Sequence, residues 1–228
     1  MNEKSIEFRN VEYAYSSGSF TLSIESLALD MGETTFISGK SGSGKTTMSK
    51  LIAGILKPLK GEVAIMGTAS DLQRLDEIGK KVGYLWQNPR QQLFAQSVLE
   101  ELTFAAELKR QRMTQDEKIA MKEAALGWLE YFELAHLADK HCHNLSHGEK
   151  QRLALAAVIS SGTKYLVLDE PTEGLDGRRK KMLSDLLGRL RCENSVGMCV
   201  ISHDEEFAGG LKEREIALDK GRVLYVQG

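Results

Sequence analysis

The 228-residue chain predicts an α/β fold around a mainly parallel sheet, on three observations. Short β-branched and aromatic runs alternate with longer helical patterns. The N-terminal third is rich in strand signals. From about Gln87 to Ser160 those signals fade and helical periodicity takes over, the pattern of a helical lobe inserted into an α/β core. The runs read as strands are "IEFRNV", "TTFIS", "VGYLW", "YLVLD" and "MCVIS", and "EIALDKGRVLYV" reads as a hairpin turning at Lys220-Gly221. Helical patterns run through "TMSKLIAGIL", "VLEELTFAAELKRQRM" and "TQDEKIAMKEAALGWLEYFEL", the last opening on a Thr114/Glu117 capping box. With no internal repeat or low-complexity linker, one domain is expected over 1–228: an α/β core from 1–87 and 161–228, and the helical lobe from 88–160.

Composition narrows the function classes. At 42% hydrophobic and 27% charged residues the chain is globular rather than disordered. A formal net charge of −2 leaves no electrostatic footprint for a bulk nucleic-acid partner. The basic run Arg178 to Lys181 sits at an expected helix start, where it is either solvated surface or a docking patch. Three unpaired-looking cysteines, Cys142, Cys192 and Cys199, fit a reducing compartment better than a disulfide framework. No signal-peptide pattern and no long apolar run occurs, so work at a membrane requires other chains to supply the span.

Gly39-Lys40-Ser41-Gly42-Ser43-Gly44-Lys45-Thr46, with Thr47 following, matches the phosphate loop of a Gly, four free positions, then Gly-Lys-Ser/Thr. Its setting, after a strand and before a helix, is the one the motif needs. The glycines let successive N–H groups curl toward phosphate oxygens, and the helix adds its positive dipole end. Lys45 is expected to neutralise the β- and γ-phosphates and Thr46 to bind magnesium. "YLVLDEPTEGLD" then presents Asp169 at a strand end for the metal, with Glu170 beside it to polarise a water. Carboxylates there can also merely open a turn, but a phosphate loop upstream favours the catalytic reading.

A second phosphate-site pattern, "NLSHGEKQRLALA", has Ser146 as N-cap and Glu149 at capping-box spacing. Taken alone it reads as a well-capped helix. The order of phosphate loop, "LWQN", "LSHGEKQR", "LVLDEP", "GLD" and "ISHD" resembles the ATP-binding cassette (ABC) family, from Val11 to Gly221. The resemblance implies a phosphate-loop ATPase fold with an antiparallel N-terminal β region. It also implies that two cassettes dimerise head to tail, homo- or heterodimeric, so that Ser146 and Gly148 of one close over the ATP held by the other. Tyr15 then aligns with the aromatic that stacks on adenine, Gln87 with the glutamine that senses the γ-phosphate and magnesium, Asp176 with the interface aspartate and His203 with the switch histidine. Two positions depart from the family pattern. His147 replaces the first signature glycine, and Glu149 replaces a glutamine and is expected to point away along the helix.

The cluster His136, His141, Cys142, His143 and His147 offers zinc-type ligands, but it has no second cysteine pair or carboxylate shell and falls where the family has an ordinary loop. Past Gln87, the pattern through Asn88, Pro89, Gln92, Leu93, Phe94, Val98, Leu102 and Phe104 resembles ATPases of energy-coupling-factor importers, which take up vitamins or transition-metal ions. That branch implies a groove for the coupling helices of a transmembrane permease subunit, and a place on the cytoplasmic face of the cell membrane. The rival readings are a conventional ABC importer subunit, a soluble ABC ATPase of chromosome maintenance or translation, and a phosphate-loop kinase. The chromosome kind needs a long coiled-coil insertion that the chain has no room for, and the translation kind usually carries two cassettes. The kinase has no use for a signature, Asp176 or His203.

Overall fold

A computed structural model describes residues 5–16, 18, 20–109 and 113–227. Antiparallel strands come first: β1 (Ser5–Ala14) pairs with β2 (Thr21–Asp30), and on its other edge with β4 (Lys60–Ile65), which pairs with β5 (Thr68–Ala69). Along β2 exposed and buried residues nearly alternate, so one face is wet and the other carries Leu22, Ile24, Leu27 and Leu29 inward.

The second sheet is mainly parallel. Its order is β10 (Arg222–Gln227), β9 (Arg214–Asp219), β3 (Thr34–Ser38), β8 (Gly197–Ile201), β7 (Tyr165–Asp169) and β6 (Val82–Leu85). β6, β7, β8, β3 and β9 run parallel, and only β10 is antiparallel. Every residue of β7 and β8 is buried, so both faces of the sheet are covered, as parallel sheets require. Period-2 alternation splits the strands between two cores. Tyr165, Val167, Cys199 and Ile201 face the antiparallel sheet and α1 (Lys45–Ile52), meeting Phe8, Leu22, Met48 and Leu51. Leu166, Leu168, Met198 and Val200 face the helices.

Those helices are α3 (Val98–Lys109), α4 (Gln115–Tyr131), α5 (His147–Ser160) and α6 (Gly177–Asn194), with the short α2 (Leu75–Gly79) and α7 (Glu205–Gly209) elsewhere. Thr114 caps α4, accepting from Glu117 N–H while Glu117 accepts from Thr114 N–H, the box the sequence predicts. Leu93, Val98, Leu102, Leu129 and Phe132 share one core with Leu166 and Val200, so the helical segment is packed on the sheet and not hung beside it.

Of the boundaries that differ from the sequence reading, two have a local cause. The helix expected through "TMSKLIAGIL" stops at Ile52, because Gly54 takes φ 66° and the N–H groups of Ile55 and Leu56 turn back onto Lys50 O. Trp86 leaves β6, because its N–H is taken by the Gln92 side chain at 2.9 Å. The expected hairpin turn forms, with Lys220 and Gly221 both at positive φ.

Gly83 of β6 lies close under α5. A Cβ there would lie 2.1 Å from Val158 Cγ1 and 2.9 Å from Thr163 Cγ2. Gly83→Ala is expected to cost about 1–3 kcal/mol by overpacking, seen as a lower urea midpoint with an unchanged slope.

Candidate nucleotide site

Four loops gather because four strands end together. Pairing sets Ile37 beside Ile201, Ile201 beside Asp169, and Leu168 beside Leu85, so the C-terminal ends of β3, β8, β7 and β6 form one edge. The chain leaving β3 is the phosphate loop; that leaving β7 carries Glu170, that leaving β8 carries His203 and that leaving β6 carries Gln87. In α/β sheets this edge is where ligands bind. A cavity of about 470 Å³ opens there, lined among others by Tyr15, Phe20, Ser41, Lys45, Thr46, Gln87, Asp169, Glu170 and His203.

The phosphate loop owes its shape to two glycines. At Gly39, with φ 146°, a Cβ would meet Leu218 O at 2.2 Å; at Gly44, the N-cap of α1 with φ 106°, it would meet the Phe20 ring at 2.7 Å. Gly42 and Ser41 line the cavity, while Lys40 O accepts from Ser43 N–H. The terminal hairpin buttresses the loop, as Gly221 N–H donates to Ser43 O at 2.9 Å. Ser43 Oγ, on a residue only 3% exposed, has no protein partner and so is a polar atom for a ligand or water to satisfy. Lys45 Nζ donates to Gly39 O at 2.7 Å and to Lys40 O at 3.1 Å, which holds the ammonium over the loop. Burial draws its pKa below the usual range, against the pull of Glu170 and Asp169.

Asp169 joins three elements. Its Oδ1 accepts from Thr46 Oγ1 at 3.4 Å and its Oδ2 from the Tyr84 hydroxyl at 2.9 Å, which also sits 3.1 Å from Ser49 Oγ. Nothing in the motif points to Tyr84, which reads as one more core aromatic of a strand. The hydroxyl and carboxylate together are hard oxygen donors suited to magnesium with its waters. Gln87, the third expected ligand, lines the same cavity, but its amide nitrogen donates to Glu173. Glu170 stands in the left-handed region at φ 49° while its N–H bonds Ile201 O at 2.9 Å. Its Oε1 lies 3.1 Å from His203 Nε2. Burial raises the Glu170 carboxyl above the usual range, with His203 and Lys45 pulling the other way.

Tyr15, expected under an adenine, lies at the mouth with its ring edge-on to Tyr13 and its hydroxyl accepting from Thr47 Oγ1 at 3.4 Å. Phe20, which the motifs do not flag, offers a second aromatic there.

Ser146 and Gly148 do not line this cavity, although His147 between them lines an adjoining one with Thr46, Gln87 and Asp169. Ser146 caps α5: its Oγ accepts from Glu149 N–H at 3.4 Å, while Glu149 Oε2 accepts from Ser146 N–H at 2.6 Å. Glu149 therefore turns back toward the cap and does not point away along the helix. Its N-terminal position rewards the turn, since the first N–H groups there lack helical partners. Gly148 packs near Arg179, and His147 is held beside Gly174 on the loop after β7. Buried Gln151 donates to Pro171 O, a tie between α5 and that loop absent from the motif reading. Asp176 caps α6, accepting from Arg179 N–H at 2.9 Å. Of the histidine cluster, Cys142 is buried and the rings of His141 and His143 stack at 5.2 Å. Among the described residues no group of three His, Cys, Asp or Glu side chains is arranged to hold a metal ion.

A parallel sheet with a glycine-rich loop, an invading lysine and a strand-end carboxylate at one edge defines a phosphate-loop nucleotide-binding protein. A family model described as ABC transporter matches residues 22–173. An ABC transporter ATP-binding protein of Pyrococcus furiosus is 34% identical over 220 residues, 96% of this chain and 82% of that protein. Another, from Archaeoglobus fulgidus, is 34% identical over 228 residues, 100% of this chain and 92% of its own. The chain belongs to the ABC transporter family, as an ATP-binding subunit that hydrolyses ATP. Among solved structures, CbiO1 of Clostridium perfringens, part of the ABC transporter complex CbiONQ, is similar with a TM-score of 0.85 at 29% identity, over 97% of this chain and 87% of that one. The cassette MJ0796, in a dimeric post-hydrolysis state with ADP and phosphate, gives 0.81 at 28% identity over 97% of both chains.

Because Glu170 binds its proton more tightly folded than unfolded, it favours folding where protonated and loses that contribution as pH rises through its folded value. Glu170→Gln, neutral throughout, should therefore melt higher than the parent at pH 7. The gap should close as pH falls below the ordinary carboxylate range, followed by calorimetry.

Proposed function

We propose that two such cassettes, two copies or this chain and a sibling, close head to tail around two Mg-ATP molecules to drive import through a transmembrane permease. The observation that carries this is the single strand edge gathering Lys45, Thr46, Asp169, Glu170, Gln87 and His203 around one cavity. In this reading the backbone from Gly39 to Thr47 cradles the phosphates and Lys45 neutralises them. Thr46, Asp169 and, once turned from Glu173, Gln87 hold magnesium. Glu170 orients and deprotonates the attacking water, and His203 contacts the γ-phosphate. Catalysis is then mainly positioning and charge stabilisation. Tyr15 stacks on the base.

Ser146, Gly148 and Asp176 serve the partner's nucleotide. The Ser146 hydroxyl accepts from Glu149 N–H at the start of α5, where unpaired helix N–H groups favour an anion. ATP bound between two cassettes favours the closed pair, and hydrolysis releases it. The similarity to a dimeric cassette with ADP and phosphate supports this arrangement.

The energy-coupling-factor branch, with vitamins or transition-metal ions as cargo, is favoured by two things: the run from Gln87 to Phe104, and the likeness to CbiO1 of a CbiONQ complex. Phe94, 73% exposed, and Phe104, 41% exposed, give that segment an apolar surface for the membrane partner. No helix among the described residues is long and apolar enough to cross a membrane. Bound to such a permease, the subunit sits peripherally, on the cytoplasmic face.

Glu170→Gln should lower turnover about 100-fold or more while ATP still binds, and should accumulate an ATP-dependent dimer on size exclusion. A variant hydrolysing at the parent rate removes Glu170 from the base role. Ser146→Arg should cost turnover about 100-fold yet leave the nucleotide affinity of dilute monomer unchanged; collapse of that affinity would place Ser146 at its own subunit's ATP.

A further inference from the structure

The chain from Gln87 to Ser97 joins the nucleotide cavity to the exposed Phe94. Two side chains outside that cavity brace it. Gln92 Oε1 accepts from Trp86 N–H at 2.9 Å while its Nε2 donates to Tyr84 O at 2.7 Å, so the amide acts as a surrogate strand partner for the end of β6. Glu101, on the first turn of α3 and 7% exposed, accepts from Phe94 N–H at 2.9 Å and from Ala95 N–H at 2.8 Å, both on Oε2. Between the braces Leu93 is buried in the helical core, and Gln91 and Gln92 close a tight turn on Asn88 and Pro89.

A carboxylate in that position is expensive. Burial pushes the Glu101 pKa up, and the two amide donors draw it back only in part. An apolar residue would pack more cheaply, but it would leave two loop N–H groups without their acceptor. Phe94 would then sit on a strand of backbone free to shift independently of Gln87.

We infer that Gln92 and Glu101 are positioning residues that make the stretch from Gln87 to Ala95 a rigid link, so that a nucleotide moving Gln87 displaces Phe94. This rests on the nucleotide reading of the cavity. It assigns the braces to transmission and gives neither of them contact with ATP. Because both bonds fall on one oxygen, a glutamine amide oxygen can replace it, whereas alanine cannot.

The test needs only this chain and ATP. Phe94→Cys with Cys192→Ser leaves one exposed thiol for an environment-sensitive fluorophore, since Cys142 and Cys199 are buried. A Glu170→Gln background slows turnover. Titration with Mg-ATP should change the fluorescence with the midpoint found by equilibrium dialysis of labelled ATP. Adding Glu101→Ala should cut the amplitude about fivefold or more, while ATP affinity stays within about twofold, as for independent sites. Glu101→Gln should restore the amplitude. If Glu101→Ala does not fold, Gln92→Ala is read in its place with the same expectation.

A full response in the alanine variants overturns the inference, as does a silent probe in a parent that binds ATP, or a glutamine variant as defective as alanine. A parent that binds no ATP overturns the reading of the cavity itself, and the link with it.

Discussion

Everything at the site hangs on the parallel pairing of β6, β7, β8 and β3, which makes four loops begin at one level. A parallel ladder fixes not only neighbours but the end from which each chain departs. With Asp169 level with Ile201 and Leu85 level with Leu168, the residues that follow cannot avoid one another. Slipping one strand by a residue would exchange the two buried faces, pushing Leu166 and Leu168 toward the antiparallel sheet and Tyr165 and Val167 toward the helices. Both cores therefore hold the register, and the register holds the site.

Electrostatics at that edge is set by proximity more than by net charge. Lys45, Asp169, Glu170 and His203 lie together in a half-buried recess, where burial opposes charge on the lysine and on Glu170 alike. Each partly offsets the other's desolvation, so removing one should be felt by its neighbour. Glu170 also carries backbone strain, a left-handed φ in a residue with a side chain, of order 1–3 kcal/mol. The kink turns the chain off the sheet immediately after Asp169, yet Glu170 N–H still extends the ladder to Ile201. That combination sets the Glu170 carboxylate beside His203 instead of letting it continue along the strand.

Much of this was legible in the sequence, for reasons that differ residue by residue. "TTFIS" and "YLVLD" are strands from end to end, because short apolar β-branched runs bounded by loops have few other folds. The phosphate loop is readable because backbone curvature demands glycine at fixed spacing. What stayed hidden depends on contacts far along the chain or between side chains. Tyr84 looks like core until its hydroxyl is found on Asp169, and Gln151 looks like an exposed helix polar group until Pro171 O is found beside it. Trp86 has the propensity of a strand residue and lost its place to the Gln92 amide. Glu149 was misjudged because a residue-by-residue comparison with a glutamine ignored the capping box that the same letters spell.

The second phosphate-site pattern raised two readings that sequence could not separate, a capped helix or an anion cradle, and the geometry makes them compatible. Capping uses one lone pair of the Ser146 hydroxyl and the Glu149 carboxylate, both directed at N–H groups of the helix start. Gly148 adds no side chain to crowd the helix N-terminus, where an anion is favoured by about 0.3–1 kcal/mol. Glu149 itself carries negative charge into that turn, and burial would resist it, but Ser146 N–H and hydroxyl bring its pKa below the usual range. The cap is therefore preloaded with an anion of its own on one side. In the proposed arrangement the side left open is that of His147 and Gly148, and His147 is one of the two positions at which this chain departs from the family pattern. His147, beside Gly174, and Gln151, bonded to Pro171 O, both tie the start of α5 to the loop that carries Glu170.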